Sequence, residues 1–361
     1  MRRRHFMSTT AGAASAITAS TLAAPAIAQD RIEWTMVAPW PKNTPGVGVN
    51  AQRVADRITE MSDGRLTVTL YGAGELVPPF ESFDAVQSGN ADIMHATPYY
   101  WVGKSRALNF FTGVPFGLNA MELPAWLYFG GGQELWDEVY GEFGVKPFYA
   151  GSSGVQAGGW FRKEINTLDD LQGLKIRIAG LGGEVLRRLG AAVVQLPPGE
   201  IFAAMQSGAV DAAEWVGPWN DLAFGLYRVA EYYYLPAFHE PGPGLEVTVN
   251  KEKFEALPGD LQKIVQYAAS SVANETLADF TYHNIVSLDP LVQEHNVQLR
   301  EFSDEIVHEL GRVSFEVMEE EAAGDDLTSR VHAAYMDFLR QSSNYSARMD
   351  QVSLRQRSMV L

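Results

Sequence analysis

Arg177, Gln156, Glu214 and Glu240 are of types that can hold a charged small molecule, and each stands in a segment with a local peculiarity. In "AVDAAEWVGPWNDL", residues 209–222, Glu214 sits beside Trp215 at the end of an apolar run and a Gly-Pro turn follows. A solvated loop does not need Trp215 or Trp219, and a core strand does not want Glu214. The combination fits a strand that ends at a lined pocket. In "LQGLKIRIAG", Arg177 lies between Ile176 and Ile178, so on a strand it points to the opposite face from them. There it is either an exposed strand residue or a cleft residue whose planar fork suits bidentate capture of one carboxylate. "SSGVQAGGWFR" places Gln156 among small residues that permit close backbone approach; alone, such a residue also serves as a structural hydrogen-bonding group. "FHEPGPG" puts Glu240 before a Pro/Gly turn, a setting shared by many surface acids.

The usual catalytic signatures are missing. The chain has no G-x-S-x-G elbow, P-loop, HExxH motif or EF-hand loop. "GLGGEV" and "YGAGEL" both lack the third glycine of the dinucleotide pattern. His95, His239, His283, His295, His308 and His332 show no metal-ligand spacing in the sequence. A paired-carboxylate hydrolase has no motif that points to it.

These residues need elements to position them. Apolar β-branched runs at 31–37, 65–70 and 91–96 alternate with helical periodicity at 47–61 and 79–87, an α/β arrangement. Further strands are expected at 145–150, 158–162, 175–178, 192–195 and 245–250. Helices are expected at 259–283, 304–321 and 327–340. The stretch "PPFESFDAVQSGNADIMHATPYYW" from Pro78 is echoed by "PPGEIFAAMQSGAVDAAEWVGPWN" from Pro197. Pro79/Pro198, Glu81/Glu200, Gln87/Gln206, Ser88/Ser207, Gly89/Gly208 and Asp92/Asp211 match at one constant offset. Each copy reads as a Pro-led helix, a glycine stop, a short strand and an aromatic loop. Ligands in open α/β sheets sit beyond the carboxyl ends of strands, so two such copies predict two lobes with a cleft between them. Glu214 is then expected to face His95–Tyr100 across it.

Composition sets the compartment and excludes partners. The 361 residues, 46% of them hydrophobic, suffice for two packed lobes. Residues 1–28 carry three arginines, a weakly apolar Ala/Thr/Ser run and the triplet Ala26-Ile27-Ala28, which is the pattern of a cleaved twin-arginine-type export signal. Its removal takes away Arg2, Arg3 and Arg4 and no acid, moving the formal net charge from −16 to −19. So acidic a surface argues against nucleic acid and gives no long-range pull on an anion, so an anion site must carry its own positive charge. There is no cysteine, hence neither disulfide nor thiolate metal site. The expected organisation is an export signal at 1–28, a first lobe at 29–152, a second at 153–242, and at 243–361 a return to the first lobe followed by C-terminal helices.

"AGELVP", "GGWFRKEINTLDDLQGLKIRIAG", "GAVDAAEWVGP" and "YYYLPAFHEPGP", together with the leader, resemble the extracytoplasmic solute receptors of tripartite ATP-independent periplasmic (TRAP) transporters. More narrowly, they are similar to the subgroup that binds 2-oxo and 2-hydroxy monocarboxylates with a metal ion. The resemblance implies a periplasmic, two-lobed α/β binding protein that delivers a small organic monocarboxylate such as pyruvate or lactate to TRAP membrane subunits without catalysis. It implies that Arg177 holds the substrate carboxylate. It also implies that Gln156, Glu214, the Trp215 main-chain carbonyl and Glu240 surround one cation. This all-oxygen set suits Ca²⁺ or Na⁺ and is unsuited to Zn²⁺. Thr97, Tyr99, Tyr100, Trp215, Trp219 and Asn220 are expected around the substrate, with Phe116 as a further ring. A metal-independent receptor for another organic acid, and a periplasmic metal-dependent enzyme, are the competing readings. A homodimer through the C-terminal helices is a further implication.

Overall fold

The computed structural model describes residues 31–361; the expected export signal lies outside them. Among the described residues eleven strands occur in the order β1 (Ile32–Val37), β2 (Leu66–Tyr71), β3 (Ile93–Ala96), β4 (Val145–Ser152), β5 (Gly159–Phe161), β6 (Lys175–Arg177), β7 (Ala192–Val194), β8 (Ala212–Ala213), β9 (Tyr232–Tyr234), β10 (Gly244–Asn250) and β11 (Gln298–Arg300). They form two sheets. The first runs β2-β1-β3-β10-β4, and the second β11-β9-β5-β8-β6-β7. β1, β2 and β3 are parallel and β10 is antiparallel to both its neighbours. In the second sheet β6 is parallel to β7 and β8, while β5 runs antiparallel to β8 and β9.

That last pairing matters most for the site. Because β5 is reversed, its start lies beside the ends of β8 and β9, and β6 ends there too. Gln156 just before β5, Glu214 just after β8, Arg177 closing β6 and the 237–240 segment after β9 therefore converge on one edge. Backbone bonds fix the convergence: Gln156 N–H donates to Glu240 O at 3.1 Å, Ala237 N–H to Gln156 O at 2.9 Å, and Ala157 N–H to Val216 O at 2.9 Å.

The two copies of the internal repeat fold alike. A short 3₁₀ turn leads into a helix in each, Ser82–Gln87 and Ile201–Ser207. Gly89 and Gly208 both adopt positive φ, 76° and 78°, where a glycine costs nothing. Ala91 N–H donates to Ala85 O as Val210 N–H donates to Ala204 O. Asp92 accepts from Thr35 N–H in β1, and Asp211 from Lys175 N–H in β6, so each aspartate pins its strand to the one alongside. The matching sequence marks matching geometry.

The helix Val47–Met61 follows its pattern, with Ala51, Val54, Ala55 and Ile58 buried at helical spacing. The helix from Gly259 overruns the expected stop near His283 and continues to Gln293 through Pro290. Ala268, Ala269, Val272 and Ala273 are buried in its first half, and Phe280, Ser287 and Leu291 farther along. It packs against β4 and the 47–61 helix as well as the 218–224 helix. Because its buried face changes partner along its length, a single amphipathic stripe does not describe it. Residues after 243 do not all stay with the first sheet: β11 pairs with β9 in the second. Its three residues, Gln-Leu-Arg, are too few for a period-2 pattern to show.

Candidate cation and carboxylate site

Arg177 is fully buried, which removes the exposed-strand alternative. Its Nη1 donates to Glu214 Oε2 at 2.9 Å and to Glu214 O at 2.6 Å, and its Nε to Leu196 O at 3.2 Å. The guanidinium lies 5.8 Å from the centre of the Trp215 ring, which stacks on Phe224 at 5.3 Å. Burial works against the charge of Arg177, yet its pKa is raised, because Glu214, Tyr100, Tyr99 and Glu240 all favour the cation. Burial and the neighbouring Glu240 push the Glu214 carboxyl well above the usual carboxylate range, with Arg177 opposing them. Burial raises Glu240 to about 7, partly offset by Tyr99 and Arg177.

The unpaired atoms define what the site lacks. Arg177 Nη2, Glu214 Oε1, both carboxylate oxygens of Glu240 and Gln156 Oε1 are buried with no hydrogen-bond partner among the described residues. Gln156 Nε2 is tied to Ser153 Oγ at 2.9 Å, which leaves its oxygen as the free end. The Trp215 carbonyl likewise accepts no backbone hydrogen bond among the described residues. Buried polar atoms left unpaired cost on the order of 1–3 kcal/mol each. A cluster of orphaned acceptors beside one orphaned donor fork is thus an incomplete coordination shell: the oxygens call for a cation, and Arg177 Nη2 for an anionic oxygen. Among the described residues, the cation that perturbs both Glu214 and Glu240 is Arg177.

Support comes from a buried carboxylate behind the turn. Asp221 accepts from Trp160 Nε1 at 2.9 Å, from the Tyr233 hydroxyl at 2.8 Å, and from the amides of Val216 and Gly217 at 3.2 Å each. It locks the chain just after Trp215. Burial raises its carboxyl to about 6, against the pull of those donors.

The first lobe contributes rings. Tyr99 and Tyr100 follow β3 and stack on each other at 5.0 Å. Burial pushes the Tyr100 hydroxyl up to about 12, with Arg177 easing its ionisation and Glu214 and Glu240 opposing it. Glu240, Glu214 and Arg177 also influence Tyr99, so both tyrosines lie within electrostatic reach of the charged groups of the second lobe. A cleft of about 610 Å³ opens alongside, lined by Arg106 and Asn109 from the first lobe and Ile178, Leu181 and Arg187 from the second.

Other expected residues lie elsewhere or are already engaged. His95 packs edge-on to Trp40 and is neutral, its pKa lowered to about 3 by burial; neither Glu214 nor Arg177 is among the groups that shift it. The Thr97 hydroxyl is spent on Gly244 O at 3.0 Å. Trp219 stacks on His283 of the long helix at 4.2 Å, and its main-chain N–H donates to Asn284 Oδ1 at 3.0 Å. Asn220 Nδ2 donates to Pro45 O at 2.7 Å, a contact between the lobes. Phe116 adopts φ 55° and packs on Phe238. The reading of the histidines as unclustered is overturned at one position. Ligand atoms of Glu214, His239 and Glu240, all buried, lie within 4.8 Å of one another. Its only sequence signal was adjacency to Glu240, because Glu214 is far away along the chain.

Residues 36–324 match the family model DctP, described as bacterial extracellular solute-binding protein, family 7. The chain belongs to this family. It is 44% identical over 310 residues to the monocarboxylate 2-oxoacid-binding periplasmic protein of Nostoc sp., covering 86% of this chain and 85% of that protein. Among solved structures, a TRAP periplasmic solute-binding protein from Pseudoalteromonas atlantica with bound sodium and pyruvate superposes with TM-score 0.87 at 39% identity, covering 90% of this chain and 99% of that one. One from Colwellia psychrerythraea with bound calcium and pyruvate gives TM-score 0.88 at 38% identity, over the same shares. The fold is thus that of the two-lobed TRAP receptors, a family of periplasmic solute-binding proteins. In these two structures a sodium or a calcium ion accompanies pyruvate.

Proposed function

We propose that this receptor binds a small 2-oxo or 2-hydroxy monocarboxylate together with one Ca²⁺ or Na⁺, and delivers it to TRAP membrane subunits without chemical change. The observation that carries this is the set of orphaned oxygens on Gln156, Glu214 and Glu240 beside the free Nη2 of Arg177. In this reading those oxygens and the Trp215 carbonyl take the cation. The ligand's carboxylate and 2-oxygen complete its shell, and Arg177 binds the carboxylate. Tyr99, Tyr100 and the Trp215 ring wall the organic part, with Thr97, Trp219 and Asn220 shaping the surroundings from behind. The cation resolves the charge problem of a strongly acidic protein, because it makes the pocket locally attractive to an anion.

Calorimetry on the purified protein with pyruvate, lactate and a longer 2-oxo acid, each with Ca²⁺, with Na⁺ and with chelator, tests this. Binding that requires a cation is expected. Equal binding in chelator and Na⁺-free buffer favours a metal-independent organic-acid receptor. Consumption of the bound acid would replace the receptor reading with an enzyme.

A homodimer also fits. The terminal helix Asp350–Ser358 buries none of its residues, and Leu354 and Met359 are exposed. Beside its root lies an apolar groove of about 800 Å³ lined by Met121, Ala125, Val155, Leu277, Phe338 and Tyr345. A second copy's terminal helix would satisfy both surfaces. Light scattering of the chain with and without residues 348–361 is expected to give dimer and monomer; a monomeric full chain would overturn it.

A further inference from the structure

The proposed cation shell uses oxygens only and leaves His239 unexplained. His239 is as buried as the residues around it, and neither ring nitrogen has a partner among the described residues. Its place is tightly defined. A Cβ added at Gly182 would come within 2.6 Å of His239 Cβ and 2.9 Å of its Cγ, so the start of the 180–188 helix closes over the imidazole. Phe238 lies edge-on to the ring at 5.1 Å. A side chain is also excluded at Gly113 without displacement: its Cβ would approach Glu240 Cγ to 3.1 Å. The histidine and the glutamate are thus packed from two sides, with ring nitrogen and carboxylate oxygens of Glu214 and Glu240 inside one 4.8 Å sphere of mutual distance. An imidazole with two unpaired nitrogens beside two carboxylates carrying unpaired oxygens is a mixed nitrogen–oxygen donor set.

We propose that His239 supplies an imidazole nitrogen to the cation held by Glu214 and Glu240, so that the site takes first-row divalent transition metals such as Mn²⁺ and Zn²⁺ as well as Ca²⁺. This inference rests on the cation-dependent reading of the same site and adds a ligand to it. Carboxylates and carbonyls alone select hard cations, whereas imidazole suits the later divalent metals, whose affinity for a nitrogen-containing site rises from Mn²⁺ along the series. A Glu–His–Glu set with a bound ligand's oxygens can serve both classes. The proposal departs from the expectation that the donor set is unsuited to Zn²⁺, which counted oxygens only. The metal carried with the organic acid then depends on which divalent ion is available, and the acid meets the same Arg177 in each case.

Two measurements on the full protein test this. In the first, Mn²⁺ is added at one equivalent with pyruvate, and electron spin-echo modulation is recorded for nitrogen coupling to the ion. Wild type is expected to show a directly bound histidine nitrogen. Glu214→Gln is expected to lose the bound Mn²⁺, and with it the signal, which separates this site from surface histidines such as His283 and His295. In the second, competition calorimetry compares Zn²⁺ with Ca²⁺ in wild type and His239→Gln, in which an amide oxygen replaces the nitrogen. The variant is expected to lower the preference for Zn²⁺ over Ca²⁺ by about tenfold or more. Bound Mn²⁺ without nitrogen coupling, failure of Mn²⁺ to bind, or an unchanged preference overturns the proposal. Ca²⁺-dependent pyruvate binding is measured on the same preparation. If it persists while nitrogen coupling is absent, only the His239 assignment falls; if it is absent too, the parent reading falls with it. Should His239→Gln fail to fold, the spin-echo result on wild type still decides.

Discussion

The two copies of the repeat end in opposite chemistry. Behind β3 and β8 the scaffold is the same down to the aspartate that pins the strand and the positive-φ glycine before it. Yet the first copy delivers Tyr99 and Tyr100, and the second delivers Glu214 and the Trp215 carbonyl. Buried carboxyls in the two lobes differ as well. In the first lobe Glu246 is paired only with neutral groups, the Tyr140 hydroxyl at 2.6 Å and the Thr248 hydroxyl at 2.9 Å, and burial raises its pKa to about 8. In the second, Glu214 is held against Arg177. Burial pushes both acids upward, but only Glu214 has a permanent cation set against that push. A shared fold therefore does not fix the electrostatics of what it presents.

The strongest way to break this division is to remove the charge anchor. Arg177→Ala is expected to weaken pyruvate binding by roughly a hundredfold to a thousandfold, measured by calorimetry. It also leaves Glu214 without its partner, which costs about 3–5 kcal/mol of stability, so Arg177→Lys is measured beside it and is expected to retain the fold and weak binding. An unchanged affinity in both would remove Arg177 from the site. Next comes Glu214→Gln, expected to abolish the dependence of pyruvate binding on Ca²⁺ and lower affinity by about ten- to a hundredfold. Cation dependence persisting in this variant would place the ion elsewhere.

The first lobe's acid sharpens the contrast through pH. The folded pKa of Glu246, about 8, lies above its ordinary value of 4.5, so folding takes up a proton between those values. Stability from this group is full below about 4.5, declines as pH rises through that window, and is lost above about 8. Glu246→Gln, which cannot ionise, is expected to flatten the fall in melting temperature of the wild type between pH 6 and 9; parallel curves would contradict the neutral-acid assignment. The smallest effect is expected from the rings: Tyr100→Phe keeps the wall and loses one hydroxyl, for a fall of about five- to tenfold in affinity. A loss as large as that of Arg177→Ala would mean that the first lobe also carries charge recognition.

Much of this was legible in the sequence. The 47–61 helix, the alternating strands and the repeat could be read because their apolar spacing and turn residues are local. Arg177, Glu214 and Tyr100 stood out because a charged or polar residue interrupts an apolar run near a strand end. What the sequence hid was pairing across long separations. The reversal of β5, which brings Gln156 to Glu240, leaves no periodic trace. His239 looked like a lone histidine because its partner Glu214 comes from another strand. Trp219 shows the same limit: an aromatic next to a site motif also packs on a helix, and that helix is 65 residues away in sequence at Asn284. The strands Tyr232–Tyr234 and Gln298–Arg300 are too short to carry a pattern.

The helix Gly259–Gln293 has a consequence beyond positioning. At about 1.5 Å of rise per residue its 35 residues extend roughly 50 Å, and its two halves are embedded in different neighbourhoods. Phe280 and His283 meet Trp219 of the second lobe, while Thr276 meets Gly151 of the first. Neither lobe can melt without stripping one half of this shared helix of its packing. The molecule is accordingly expected to unfold with a single cooperative transition, and its two architectural halves to be one thermodynamic unit.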